Sequence, residues 1–267
     1  MMTRNETVSV VAVVFLCTAV SVPGMAQRDP TSGPNQFPQF RNLSGLAGCG
    51  YGADLQGYRS LSGPVALSTP VAHTLGRGMV QISGGTLSFH SLPEINGRKS
   101  NGTGFITVGA TLSRINLAGT FFIKSSALDQ VFHLQAQYIP EPGAKWAFSL
   151  GGQDIQGRGG SAGDAFLEDT QSSQSLFGVL TYRWDAGRRP IYLSAGIGTR
   201  RFGRPFGSIS HQIAAPLRIW AESDGYGVNY GLLGVCRLGR GVRAMELNAT
   251  VGLVKGQYFV FSVGMGL

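Results

Sequence analysis

Charge is scarce in this chain: Asp, Glu, Lys and Arg make up 13% of its 267 residues, where about 25% is usual for a soluble domain. Long hydrophobic runs are scarcer still. After the N-terminal stretch Val8 to Val22, a Gly, Ser, Thr, Asn or charged residue interrupts every apolar run well before the ~20 residues that a membrane-spanning helix needs. A helical membrane protein is thereby excluded, leaving a soluble domain or a β-barrel. Cysteine is limited to Cys17, Cys49 and Cys236, too few for a disulfide framework. One Cys49–Cys236 bridge and two free thiols both stay open. The four histidines, His73, His90, His133 and His211, are scattered, with no pair at metal-ligand spacing.

The start of the chain is informative. Met1-Met2-Thr3-Arg4, the apolar run and then Pro23-Gly24-Met25-Ala26 form a secretory signal pattern, with cleavage expected near Ala26 after Sec-type export. Leu16 stands before Cys17, where a lipoprotein signal requires a small residue, so lipidation is not expected. Residues 27–62 carry Pro30, Pro34 and Pro38 without sustained periodicity and read as an irregular leader, periplasmic or inserted in a lumen. Residues 63–267 read as the β-barrel itself. With 40 glycines and little charge, the composition suits a barrel whose outer face meets lipid. The net charge of +8 points to lipid phosphates, lipopolysaccharide or an anionic polysaccharide. Nucleic acid is not expected as the partner of an exported protein.

Period-two alternation is the dominant signal. In Gly104 to Ser113, Ile106, Val108, Ala110 and Leu112 share one face, while Thr107, Gly109, Thr111 and Ser113 share the other. Ile115 to Ile123 repeats the pattern after a turn near Arg114, and Gln130 to Tyr138 opposes Phe132, Leu134 and Ala136 to His133, Gln135 and Gln137. Further strands are expected at Met79–Phe89, Trp146–Gln153, Ser175–Asp185, Ile191–Phe202, Leu217–Ser223, Tyr226–Leu238, Met245–Leu253 and Tyr258–Leu267. Single-chain bacterial barrels have even strand numbers, so an all-β, antiparallel up-and-down transmembrane barrel of about 12 strands is predicted, with ten as the alternative. The additional strand is placed near Leu61 to Val71. Phe259, Phe261, Val263, Met265 and Leu267 alternate to the last residue, which fits a terminal strand recognised by barrel-assembly machinery. Trp146, Trp184, Trp220, Tyr138, Tyr182, Tyr192 and Tyr258 lie mainly near strand ends, where membrane interfaces are expected. A soluble secreted β-sandwich is the less favoured alternative.

No catalytic, cofactor-binding or metal-binding constellation emerges, and a non-enzymatic protein is expected. Gly159-Gly160-Ser161-Ala162-Gly163 matches a nucleophile elbow in letters alone, because that motif needs a strand, a turn and a helix. Asp164, Glu168 and Asp169 follow in the same loop without the spacing of a calcium site. Asp224-Gly225 supports a tight hairpin, which sets Glu222 and Asn229 across from each other on the polar side. A lumen hydrogen-bond network or a ligand contact there would include Arg218, with His133 on another polar strand face. Arg183, Arg188, Arg189, Arg200, Arg201, Arg204, Arg218 and Arg237 admit an anion-attracting lumen or rim. Pairing with wall carboxylates and lipid head groups is the plainer alternative.

Two segments resemble the YjbH-like family of outer-membrane proteins. Gly63 to Gly78, with Thr69-Pro70-Val71-Ala72 leading through Leu75 and Gly76, is similar to that family's approach to its first strand; Ala221 to Gly231 resembles its Glu-x-Asp-Gly hairpin. The resemblance implies a location in the outer membrane of a Gram-negative bacterium and a part in exopolysaccharide production or export. A small passive pore or a purely structural barrel is the alternative function.

Overall fold

The computed structural model describes residues 63–87, 94–95, 98–99, 102–123, 130–138, 140–141, 144–156, 174–185, 189–199, 202–225, 227–239, 245–254, 256 and 258–267. The expected signal peptide and the 27–62 leader lie outside the described residues, as do Cys17, Cys49, His90, the Gly159–Gly163 stretch with its carboxylates, and Arg188, Arg200 and Arg201.

Twelve antiparallel strands close into a barrel: β1 (Val80–Leu87), β4 (Gly102–Leu112), β5 (Ile115–Ile123), β6 (Gln130–Tyr138), β7 (Trp146–Gln153), β8 (Ser175–Trp184), β9 (Ile191–Gly198), β10 (Phe206–Ala214), β11 (Leu217–Ser223), β12 (Val228–Leu238), β13 (Met245–Val254) and β14 (Tyr258–Gly266). A small hairpin, β2 (Glu94–Ile95) with β3 (Arg98–Lys99), sits in the β1–β4 connection. Each barrel strand pairs with its neighbour in sequence, and β14 returns to β1 with Ile82 opposite Met265 and Gly84 opposite Val263. Closure leaves no unpaired edge, which a lipid environment requires.

The twelfth strand is not where the sequence places it. No strand runs through residues 63–71; β10 supplies it instead. Pro64 and Pro70 cannot donate to a ladder, although Val65, Leu67 and Val71 imitate an alternating row. In β10 the outward row Gly207, Ile209, His211 and Ile213 has only two bulky apolar residues, so the contrast between faces is lost. The expected Ile191–Phe202 strand stops at Gly198, and Phe202 folds inward as a buried residue.

The barrel is inside out relative to a soluble domain. Val108, Leu150, Leu180, Ile197, Phe261 and Val263 are exposed outside, whereas Thr107, Thr120, Gln135, Gln137, Ser149, Thr181 and Asn229 are buried within. A water-soluble β-sandwich buries the apolar face of each sheet, so this pattern overturns the sandwich alternative. Strands of 7 to 11 residues match the roughly 9–11 needed to cross a bilayer at a tilt. Tyr138 and Trp146 are exposed outside, and Trp146 pairs with Tyr182 at the same rim, forming part of an interfacial aromatic girdle. Trp220 and Tyr192 depart from expectation. Both point inward and are 3% exposed.

Glycines make room for the inward rings of Phe206 and Trp220. A Cβ on Gly196 would lie 2.3 Å from Phe206 Cζ, and one on Gly231 or Gly252 would lie within 2.9 Å of Trp220 Cζ2. The rings therefore lie against the wall. Phe177, Phe202 and Phe206 group there with Ala72, Ala147 and Val179.

Candidate functional site

The lumen is occupied by residues 63–79, and strand register defines their path. Two rims alternate along the meander. One carries the chain's C-terminal Leu267, the start of β1 and the two-residue β10–β11 turn; the other carries the Asp224-Gly225 turn. Gly63 offers its carbonyl to the Arg218 guanidinium, next to the first rim. Val65 N–H donates to Ser210 Oγ at 3.0 Å, and residues 67–69 reach Glu222, close to the second rim. The chain then returns. Ala72 N–H donates to Thr181 Oγ1 (2.8 Å), Gln135 Nε2 to the Val71 carbonyl (2.7 Å), Thr74 N–H to Gln137 Oε1 (2.9 Å) and Arg77 N–H to Thr111 Oγ1 (2.8 Å). Val80 then pairs with Leu267 at the first rim. Over the described residues, the segment is a re-entrant loop with both ends next to one rim.

Glu222 holds the apex. Its Oε2 accepts from Leu67 N–H (2.9 Å), Thr69 N–H (3.2 Å) and Thr69 Oγ1 (2.9 Å); its Oε1 accepts from Ser68 N–H (2.9 Å), Ser68 Oγ (2.6 Å) and Asn229 Nδ2 (2.8 Å). Successive backbone N–H groups around an anion form a nest, and charge-assisted bonds of this kind are stronger than neutral ones. Asn229 also donates to Ser68 Oγ at 3.1 Å, so wall and loop share one network. The Asp224-Gly225 turn fixes the register that makes this possible: Gly225 adopts φ 84°, Gly227 N–H donates to Asp224 Oδ1 at 2.8 Å, and Glu222 pairs with Asn229.

Glu222, Asn229 and Arg218 thus meet the same loop at its apex and its entry. His133 stands five strands away on β6, where its Nδ1 accepts from Asp154 N–H at 3.0 Å. Ser68, Thr69, Ser210, Thr181 and Gln137 were missed by sequence reasoning. Proline-bounded coil has no periodicity to reveal a partner some 150 residues away. The arginines do not make a uniformly basic lumen. Among the described ones, Arg218 holds Gly63, Arg189 bonds the Ile213 carbonyl in an exposed position, Arg204 bonds the Gly225 carbonyl, and Arg183 pairs with Asp185. Buried Glu222 and Glu246 offset them inside. Cys236 is free and exposed on β12.

His73, in the loop and outside the spanning strands, is fully buried with its ring edge-on to Tyr192 of β9. Burial, helped by the positive charge of Arg183 on β8, lowers its pKa from 6.5 to about 3. The docked loop therefore holds neutral His73, while an undocked loop takes up a proton near pH 6.5. Docking is insensitive to this group above pH 6.5 and weakens as pH falls from there toward 3. Protease accessibility of the loop in detergent should rise over that interval. His73→Phe should flatten that rise; an unchanged profile would mean that His73 does not cause it.

No family model and no curated protein matches this chain. Among solved structures, it resembles a KdgM porin in complex with disordered oligogalacturonate, with 10% identity, 70% of this chain and 97% of that chain covered, and a TM-score of 0.48. A mutant Rh. blastica porin covers 62% of this chain over 55% of its own length at 13% identity and TM-score 0.34. Neisserial surface protein A matches at 9% identity and TM-score 0.18, over 71% of this chain and 94% of that one. Likeness at these levels assigns no function. The strand pairing and the inverted burial establish a closed, antiparallel, twelve-stranded transmembrane β-barrel whose lumen contains its own residues 63–79.

Proposed function

We infer that this chain is a non-enzymatic outer-membrane barrel, closed at rest by its own re-entrant loop, and that it serves surface or exported polysaccharide. The observation that carries the closed state is the Glu222 network at the loop apex, together with buried Val65, Leu67, Val71 and Leu75 along the loop. The apolar exterior supports the membrane. The polysaccharide link rests on the resemblance of Gly63–Gly78 and Ala221–Gly231 to the YjbH-like family. A lumen rich in hydroxyl and amide side chains is compatible with that link. Lipopolysaccharide and barrel-assembly machinery are the partners this reading implies.

Fractionation, gel migration, conductance and deletion test the reading. The protein should fractionate with the outer membrane and show heat-modifiable migration, and the full chain in a planar bilayer should give no steady conductance. A soluble periplasmic product would contradict the barrel, and continuous porin-type conductance would contradict the closed lumen. For the polysaccharide role, deletion should reduce exported polysaccharide; unchanged export would leave a structural barrel.

A further inference from the structure

The loop's route has a consequence for activity. Both of its ends lie at the rim that carries Leu267, so it can withdraw through that rim without threading chain across the barrel. Apart from one backbone bond at its base, from Gly78 N–H to the Gly109 carbonyl, its lumen contacts are made to side chains, among them Ser210, Glu222, Thr181, Gln135, Gln137 and Thr111. The described ladders close β1 to β14 without residues 63–78, so withdrawal breaks no strand pair.

The loop is also held unevenly. Its apex is bound to the Glu222 carboxyl group by three backbone amides and two hydroxyls. Its returning limb buries both ring nitrogens of His73 and the Thr74 hydroxyl without a hydrogen-bond partner among the described residues, and buried unpaired polar groups oppose docking. Withdrawal relieves that cost and loses the burial of Val65, Leu67, Val71 and Leu75. Three of the inward rings lie close to the wall backbone. Phe206 and Trp220 lie against wall glycines, and Phe177 lies against Gly151.

We propose that the barrel is a gated pore, in which residues 63–78 form a withdrawable plug and Glu222 is the latch that keeps it seated. This rests on the closed-barrel reading above and adds the activity that follows when the plug leaves. The wall it would expose carries Gln135, Gln137, Asn229, Thr181, Ser210 and Arg218 beside Glu222, a hydrophilic surface of mixed charge. Hydrophilic solutes are the class that such a wall admits.

Gly109 provides a second route to the same state. A Cβ there would lie 2.4 Å from the Gly76 carbonyl oxygen and 2.6 Å from Leu75 backbone atoms, which belong to the plug. Glu222→Ala unlatches the apex, and Gly109→Val presses the base of the plug away from the wall. Each full-length variant would be refolded, checked for heat-modifiable migration, and measured in planar bilayers beside the native chain. Both should raise open probability by at least about 100-fold. An Ala72→Cys/Thr181→Cys pair, in a chain whose own cysteines are Ser, should hold the Glu222→Ala barrel silent until a reductant is added. A native chain that already conducts steadily would sink the closed-barrel reading. Folded Glu222→Ala and Gly109→Val barrels that stay as silent as a silent native chain would sink the gate alone, making residues 63–78 permanent filling.

Discussion

Leu180→Arg should destabilise the barrel by about 2–4 kcal/mol, the cost of an arginine on the lipid face near the bilayer midplane. Leu180 lies in the middle of β8, is 48% exposed and points outward between the buried, inward-facing Val179 and Thr181. In a soluble protein such an exposed position would accept arginine within about 0.5 kcal/mol, so the size of the loss reports the solvent. The measurement is urea-dependent folding into phospholipid vesicles, followed by tryptophan fluorescence and heat-modifiable migration. Leu180→Phe should be close to neutral. If Arg and Phe behaved alike, the outer surface would not face lipid.

The second large effect is expected from inside. A Cβ on Gly231 would lie 2.2 Å from the Val251 carbonyl oxygen and 2.7 Å from both Gly252 Cα and Trp220 Cζ2. Two of these obstacles are backbone of the paired strand β13, which cannot rotate aside. Gly231→Val should therefore cost at least the about 1–3 kcal/mol typical of overpacking, and the folded band should be lost. On the same strand, Gly234→Ala would place its Cβ no closer than 3.8 Å to Ala249 O and should fold normally. Equal behaviour of the two variants would mean that Trp220 does not lie against the wall at that point.

How much of this was legible depended on which physical signal each element carried. β4, β5, β6 and β14 are visible because an oily row alternates with a small polar one, as a wall between lipid and a polar interior demands. β10 is hidden because Gly207 and His211 sit in its lipid-facing row. The proline-bounded loop is misread as strand because Val65, Leu67 and Val71 alternate, although their apolar side chains are buried inside the lumen. Aromatic placement misleads at Trp220 and Tyr192 for a related reason: a ring on a strand suits either an interface or an interior, where Trp220 meets glycines and Tyr192 meets His73.

The site was half legible. Asp224-Gly225 fixes a hairpin, and a hairpin fixes the pairing of Glu222 with Asn229. The groups that complete the network, Ser68 and Thr69, come from a segment that pairs with nothing and repeats nothing. Their hydroxyls gave no sign that they would meet a carboxylate from the far end of the chain. Arg218 shows the same limit. Its inward direction follows from alternation, but its acceptor, the Gly63 carbonyl, belongs to the loop.

Residues 63–79 inside the lumen, seated on Glu222, are the centre of this account, and amide hydrogen exchange reads that seating directly. In detergent micelles at neutral pH, the amides of Leu67, Ser68 and Thr69 should exchange far more slowly than unstructured chain, and Glu222→Ala should release their protection while the β11 and β12 ladder amides keep theirs. Exchange of all three at the rate of free chain in the native protein would contradict it.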